Sequence, residues 1–119
     1  MNCIIIDDDE TARLIINEHC MNSEKIVELN EFSSAIEAIK YLNITKVDLV
    51  YLDIHMPFFK GFYFIQTLKN PPKIVLTTSD KNLAIEAFEF KSVVDYLLKP
   101  ITKKKIYQII RKNRIVISF

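Results

Sequence analysis

Short apolar runs alternate with amphipathic stretches along nearly the whole chain. Residues 2–6 form an apolar run that stops at Asp7, Asp8 and Asp9. From about 10 to 21, the residues Leu14, Ile15 and Ile16, with Ala12 and Cys20, predict a helix with one buried face. Residues 25–29 alternate weakly, as a strand near a sheet edge does. Ser33 and Ser34 ahead of Glu37 predict a capped helix running to about residue 42. Residues 47–52 are apolar except for Asp48 and lead into Asp53 and Pro57, the pattern of a strand buried on both faces. A helix over 62–69 follows Gly61 and is broken by Asn70, Pro71 and Pro72. A strand over 73–77, a helix over 82–88 with Ala84, Ala87 and Phe88 inward, a strand over 93–98 and a helix over 102–112 complete the pattern.

Strand and helix thus alternate five times, with twenty-odd residues to each pair. Such spacing predicts right-handed βαβ units and one parallel sheet covered by helices on both faces. The expectation is a single α/β domain over residues 1–119, doubly wound, with flavodoxin-like strand order 2-1-3-4-5. The apolar tail at 115–119 reads either as the start of a connector to a missing C-terminal domain or as a strand-like segment packed on the body.

Composition narrows the class without naming a function. A chain of 119 residues supports one core, and 50% hydrophobic with 26% charged residues fits an ordinary soluble protein. The formal net charge of +1 predicts no general attraction to nucleic acid or anionic membrane. The charge is uneven, with acids early (Asp7 to Glu10) and bases late (Lys99, Lys103, Lys104, Lys105, Arg111, Lys112, Arg114). Cys3 and Cys20 lack metal or redox-pair spacing and read as reduced, packed thiols. No run is long enough to span a membrane, and no secretory signal opens the chain, so a cytoplasmic location is expected. Gly61, the only glycine, is expected where a side chain would not fit.

The chemistry gathers at the strand ends. The first strand delivers Asp7 and Asp8, the third Asp53, the fourth Thr77 and Thr78, and the fifth Lys99. In the expected order the first and third strands are neighbours at the switch point, so three carboxylates converge there. Such a cluster needs a cation or a proton, and few anionic oxygen ligands open to water suit Mg²⁺. No Cys or His cluster supports zinc. A lysine and a hydroxyl beside a carboxylate–Mg²⁺ site make a phosphoryl group the natural guest. Asp53 is the expected nucleophile, forming an acyl phosphate, and Asp8 the direct metal ligand, with Asp7 behind it or bridged by water. Taken singly, these residues have ordinary explanations: the early aspartates suit a helix start, Lys99 before Pro100 suits a turn, and Tyr96 suits a core. The joint arrangement carries the reading.

These residues resemble a response-regulator receiver domain, over nearly the whole chain. The resemblance lies in the run Ile4-Ile5-Ile6-Asp7-Asp8-Asp9 and in Leu52-Asp53-Ile54-His55-Met56-Pro57 with Gly61. It continues in Thr77-Thr78-Ser79 and in Asp95-Tyr96-Leu97-Leu98-Lys99-Pro100-Ile101. The runs at 70–73 and 94–100 are most similar to receivers that precede a LytTR-type DNA-binding domain. The resemblance implies Asp53 as phosphoacceptor from a sensor histidine kinase, with Asp7, Asp8, Asp53 and the His55 backbone carbonyl serving Mg²⁺. It further implies Thr78, rather than Thr77, as the switch hydroxyl, Tyr96 as the aromatic that changes rotamer, and Lys99 as the phosphate-contacting cation. The Lys99–Pro100 bond is expected to be cis. Homodimerisation through the face of the fourth helix, fifth strand and last helix follows, with DNA reached only through an output domain.

The departures are Phe58 and Phe59 after Met-Pro, expected either under the loop or as a docking patch, and Ser79 in place of the usual alanine. The expected function is a phosphorylation-controlled switch and not a metabolic enzyme, with a stand-alone receiver acting by protein binding as the alternative. An Mg²⁺-dependent phosphatase or phosphotransferase fits less well, because His55 stands where a second aspartate would act as acid–base. A flavin module fits least, since carboxylates after the first strand repel phosphate. His55 and Asp80 are expected to overhang the site and to set how long an acyl phosphate survives.

Overall fold

The computed structural model describes residues 1–22, 26–56 and 61–113. The expectations for Pro57, Phe58, Phe59 and the tail at 115–119 fall outside those residues. The strands are β1 (Asn2–Ile6), β2 (Glu28–Phe32), β3 (Leu49–Asp53), β4 (Lys73–Thr78) and β5 (Val93–Leu98). The helices are α1 (Glu10–Met21), α2 (Ala35–Ile44), α3 (Gly61–Thr67), α4 (Lys81–Glu86) and α5 (Lys103–Asn113), with a 3-10 turn at Ala87–Glu89. All strand pairs are parallel, and the order is β2-β1-β3-β4-β5, as expected.

Period-two alternation along the inner strands divides the core into two layers. Ile4, Ile6, Val50, Leu52, Ile74 and Leu76 face a layer with Ala35, Ala38, Phe64 and Ala87. Cys3, Ile5, Leu49, Tyr51 and Val75 face the other, with Ala12, Ile16, Cys20, Ile106 and Ile109. Burial on both faces explains the unbroken apolar run of β3. Asp48 interrupts that run for a reason: its carboxylate accepts the Asn2 N–H at 2.8 Å and ties the start of β1 to β3. Both cysteines are free and buried.

Three sequence expectations need correction. The second strand lies at Glu28–Phe32 and not at 25–29, because its register is set by pairing Asn2 with Glu28 and Ile6 with Phe32. Its anchors are Phe32, ring to ring with Tyr41 at 5.4 Å, and Asn30, whose side chain donates to the Tyr41 hydroxyl at 3.0 Å. Leu14 is exposed and not inward, since the buried stripe of α1 runs through Ala12, Ile16 and Cys20 at four-residue spacing. Phe88 is also exposed, because the helix tightens to a 3-10 turn that buries Ala87 instead. Gly61 opens α3 without a positive φ.

Candidate functional site

Parallel strands all point their carboxyl ends the same way, so the polar residues that end β1, β3, β4 and β5 share one edge of the sheet. Asp7, Asp8 and Asp53 each offer a carboxylate oxygen, all within 4.8 Å of one another. Asp7 and Asp53 are buried, while Asp8 is exposed at the mouth. The donor set is all oxygen, anionic and open on one side, which fits a hard divalent cation such as Mg²⁺.

The cluster is held from several directions. Asp7 Oδ1 accepts the Asp9 N–H at 2.9 Å, and Asp7 Oδ2 accepts the Thr77 hydroxyl at 3.0 Å. Asp53 Oδ1 accepts the His55 N–H at 2.8 Å, which fixes the carboxylate in the turn leaving β3. Lys99 Nζ lies 3.3 Å from Asp7 Oδ1, 3.4 Å from Asp53 Oδ2 and 3.7 Å from Asp9 Oδ2. Asp9 also caps α1 by accepting the Thr11 N–H at 3.0 Å. Arg13 reaches back from α1 to donate to the Asp7 carbonyl at 2.6 Å.

Burial raises the Asp53 carboxyl, and neighbouring Asp7 raises it further; the His55 N–H and the Lys99 ammonium pull it back, leaving it at about 7 against an ordinary 3.8. For Lys99, burial alone would lower the ammonium. The carboxylates of Asp7, Asp53 and Asp9 outweigh it and hold the group above its ordinary value. The site therefore carries an excess of negative charge that one lysine does not cancel.

Thr78 is buried at the end of β4, where its hydroxyl accepts the Asp80 N–H at 2.9 Å. Asp80 is occupied differently from expectation. Its carboxylate accepts the N–H groups of Asn82 at 2.9 Å and Leu83 at 3.4 Å, starting α4. His55 is exposed in the turn after β3. Tyr96 is half-buried on β5 and meets Phe88 edge to face, with ring centroids 6.1 Å apart. The Lys99–Pro100 bond is cis.

Sequence reasoning assigned no supporting bond to Thr77, which it set behind Thr78, nor to Asp9, Arg13 or Asp95. Thr77 stood at a strand end in the sequence, and the structure pairs it in register with Asp53. Asp95 is buried on β5, with its carboxylate accepting the Tyr96 N–H at 2.8 Å and lying 3.5 Å from Lys112 Nζ. Tyr96 belongs to its own strand and Lys112 to α5, and nothing in local sequence announces the second.

This arrangement of a doubly wound sheet, a carboxylate cluster at its switch point and a lysine from the last strand defines a class of signalling domain. Residues 3–111 match the family model of the response regulator receiver domain, and the chain belongs to that family. The chain is 32% identical over 117 residues to the transcriptional regulatory protein LytR of Staphylococcus aureus, covering 96% of this chain and 47% of that protein. It is also 32% identical over 114 residues to a response regulatory protein of Vibrio cholerae, covering 94% and 48%. The chain thus spans about half the length of these curated relatives. Among solved structures, the response regulatory domain of protein mrkE from Klebsiella pneumoniae superposes with a TM-score of 0.80 at 31% identity, covering 96% of this chain and 95% of that one. The response regulator domain of Thermotoga maritima CheB shares the fold, with a TM-score of 0.80 at 18% identity over 100% of this chain and 98% of that one. Receiver domains are signalling domains and not metabolic enzymes. No helix among the described residues is long and apolar enough to cross a membrane.

Proposed function

We propose that Asp53 is the phosphoacceptor of this receiver and takes its phosphoryl group from a phosphohistidine of a sensor kinase. The observation that carries the proposal is a buried carboxylate at the sheet's switch point, 3.4 Å from Lys99 Nζ and clustered with Asp7 and Asp8. An Asp53 oxygen attacks phosphorus, the P–N bond breaks, and the departing imidazole takes a proton. Asp7, Asp8, Asp53 and the His55 carbonyl are the residues assigned to Mg²⁺, which when bound neutralises the phosphoryl oxygens and lets Asp53 ionise. Lys99 supplies the second positive charge and exchanges its carboxylate partners for phosphate.

Phosphorylation then biases a two-state equilibrium. The Thr78 hydroxyl leaves the Asp80 N–H for a phosphoryl oxygen, and Tyr96 follows inward, altering its contact with Phe88. That transmits the change to the surface of α4, β5 and α5. Exposed Ile85, Phe88 and Tyr107 on that surface support pairing of two receivers there. Transcriptional output follows the resemblance to receivers preceding LytTR-type domains and the printed name of the Staphylococcus aureus relative. DNA is reached only through an output domain outside these residues. Incubation with acetyl phosphate and Mg²⁺ followed by intact mass measurement tests the phosphoacceptor: one phosphoryl adduct is expected in the wild type and none in Asp53→Asn. An equal adduct in Asp53→Asn rules the assignment out.

A further inference from the structure

The start of α5 carries a charge that its own helix disfavours. Lys103, Lys104 and Lys105 fill the first turn and no acid accompanies them, although the N-terminus of a helix is the positive end of its dipole. Thr102 caps the helix, its hydroxyl accepting the Lys105 N–H at 3.2 Å. Residue 105 is therefore the third helical position, where a glutamate or glutamine would complete a capping box. A lysine cannot do so, because an ammonium has donors and no acceptor.

Its donors go elsewhere. Lys105 Nζ donates to the Leu98 carbonyl at 3.1 Å and to the Pro100 carbonyl at 2.9 Å. Those carbonyls belong to the residues on either side of Lys99, so one ammonium grips the backbone before and after the lysine that faces Asp7 and Asp53. On the inner side, the Lys99 N–H donates to the Thr78 carbonyl at 2.7 Å. The loop carrying Lys99 is thereby clamped by β4 on one side and by α5 on the other. Lys103, by contrast, is paired with Glu18 at 3.4 Å on the surface of α1 and leaves the loop alone.

We propose that Lys105 is a positioning residue for phosphotransfer, holding the loop from Leu98 to Pro100 so that the Lys99 ammonium stays aimed at the site. The proposal rests on the role given to Lys99 above. Rate depends steeply on such aim, because a group displaced by a fraction of its contact distance loses most of its effect on the transition state.

The test measures phosphorylation by acetyl phosphate with saturating Mg²⁺, with thermal melting as a control for folding. Lys105→Ala and Lys105→Glu are expected to slow the reaction at least about threefold, and Lys105→Arg to recover most of the rate. Lys105→Glu separates positioning from stability: it completes the capping box with Thr102 and relieves the dipole, so the fold should melt no lower while the reaction slows. In a Lys99→Ala background, Lys105→Ala should cause no further loss, because its effect passes through Lys99. A wild-type rate in Lys105→Ala beside a slow Lys99→Ala overturns the proposal alone, as does a further loss in the Lys99→Ala background. A wild-type rate in Lys99→Ala overturns the role of Lys99 and the proposal with it.

Discussion

The Thr77 hydroxyl donates to Asp7 Oδ2 at 3.0 Å, reaching from the end of β4 to the end of β1 past the intervening Asp53 of β3. Both side chains are fully buried. Thr77→Val keeps the shape and leaves a buried carboxylate oxygen short of a donor. It should destabilise the fold by about 1–3 kcal/mol in urea denaturation, while Thr77→Ser stays within about 1 kcal/mol. An unchanged midpoint in Thr77→Val would show that this bond contributes nothing.

The raised Asp53 carboxyl links stability to pH. A carboxyl whose folded value exceeds its unfolded value favours folding fully at low pH, and that advantage disappears as pH rises from about 3.8 through about 7. Without Mg²⁺, Asp53→Asn should therefore be more stable than wild type near pH 8, on the order of 1–3 kcal/mol after the lost Lys99 contact is offset. The difference should vanish below about pH 4, and Mg²⁺ should narrow it at pH 8 by stabilising only the wild type. Thermal melts across this range check the sign; a less stable Asp53→Asn at pH 8 contradicts it.

Asp8 is the exposed member of the acidic cluster. Asp8→Ala should weaken Mg²⁺ binding at least about tenfold while leaving melting unchanged or higher, because a repelling carboxylate is removed. Calorimetric titration with Mg²⁺ is the direct measurement. Unchanged affinity would remove Asp8 from the metal site.

Phosphorylation should shift the chain toward a dimer. Phe88 is 46% exposed and Tyr107 54%, the first in ring contact with Tyr96 and the second beneath Arg111 at 5.9 Å. Light scattering before and after phosphorylation should show the shift, and Phe88→Asp should abolish it without slowing phosphorylation. A phosphorylated wild type that stays monomeric at high concentration would favour a receiver that signals by binding another protein.

His55 and Asp80 should affect phosphate lifetime in different ways. Because the Asp80 carboxylate starts α4 by accepting two N–H groups, Asp80→Ala should change the dephosphorylation rate and also lower stability by about 1 kcal/mol. His55→Ala should change the rate several-fold with stability intact. Phosphate loss at the wild-type rate in both variants would deny either residue a kinetic role.

The alternation of apolar runs and amphipathic stretches was enough to determine the five strands and five helices of the described residues and their parallel sheet, while the strand order rested on the doubly wound fold type. Burial on both faces leaves an unmistakable mark on β1, β3 and β4, and polar residues just past such strands can only lie at the sheet's carboxyl edge. Asp7, Asp8, Asp53 and Lys99 were legible for that reason. The edge strand β2 was misplaced by three residues because a half-exposed strand needs little hydrophobicity, and its position follows from pairing with β1. Leu14 and Phe88 read as core from their place in the apolar pattern, yet the turn of α1 and the tightening after α4 carry them outward. Tertiary structure alone decided which donors serve the site. The Thr77–Asp7 bond and the Lys105 grip on Leu98 and Pro100 depend on how strands and a helix stack, since hydrogen bonds require positions within fractions of an ångström that residue spacing does not specify.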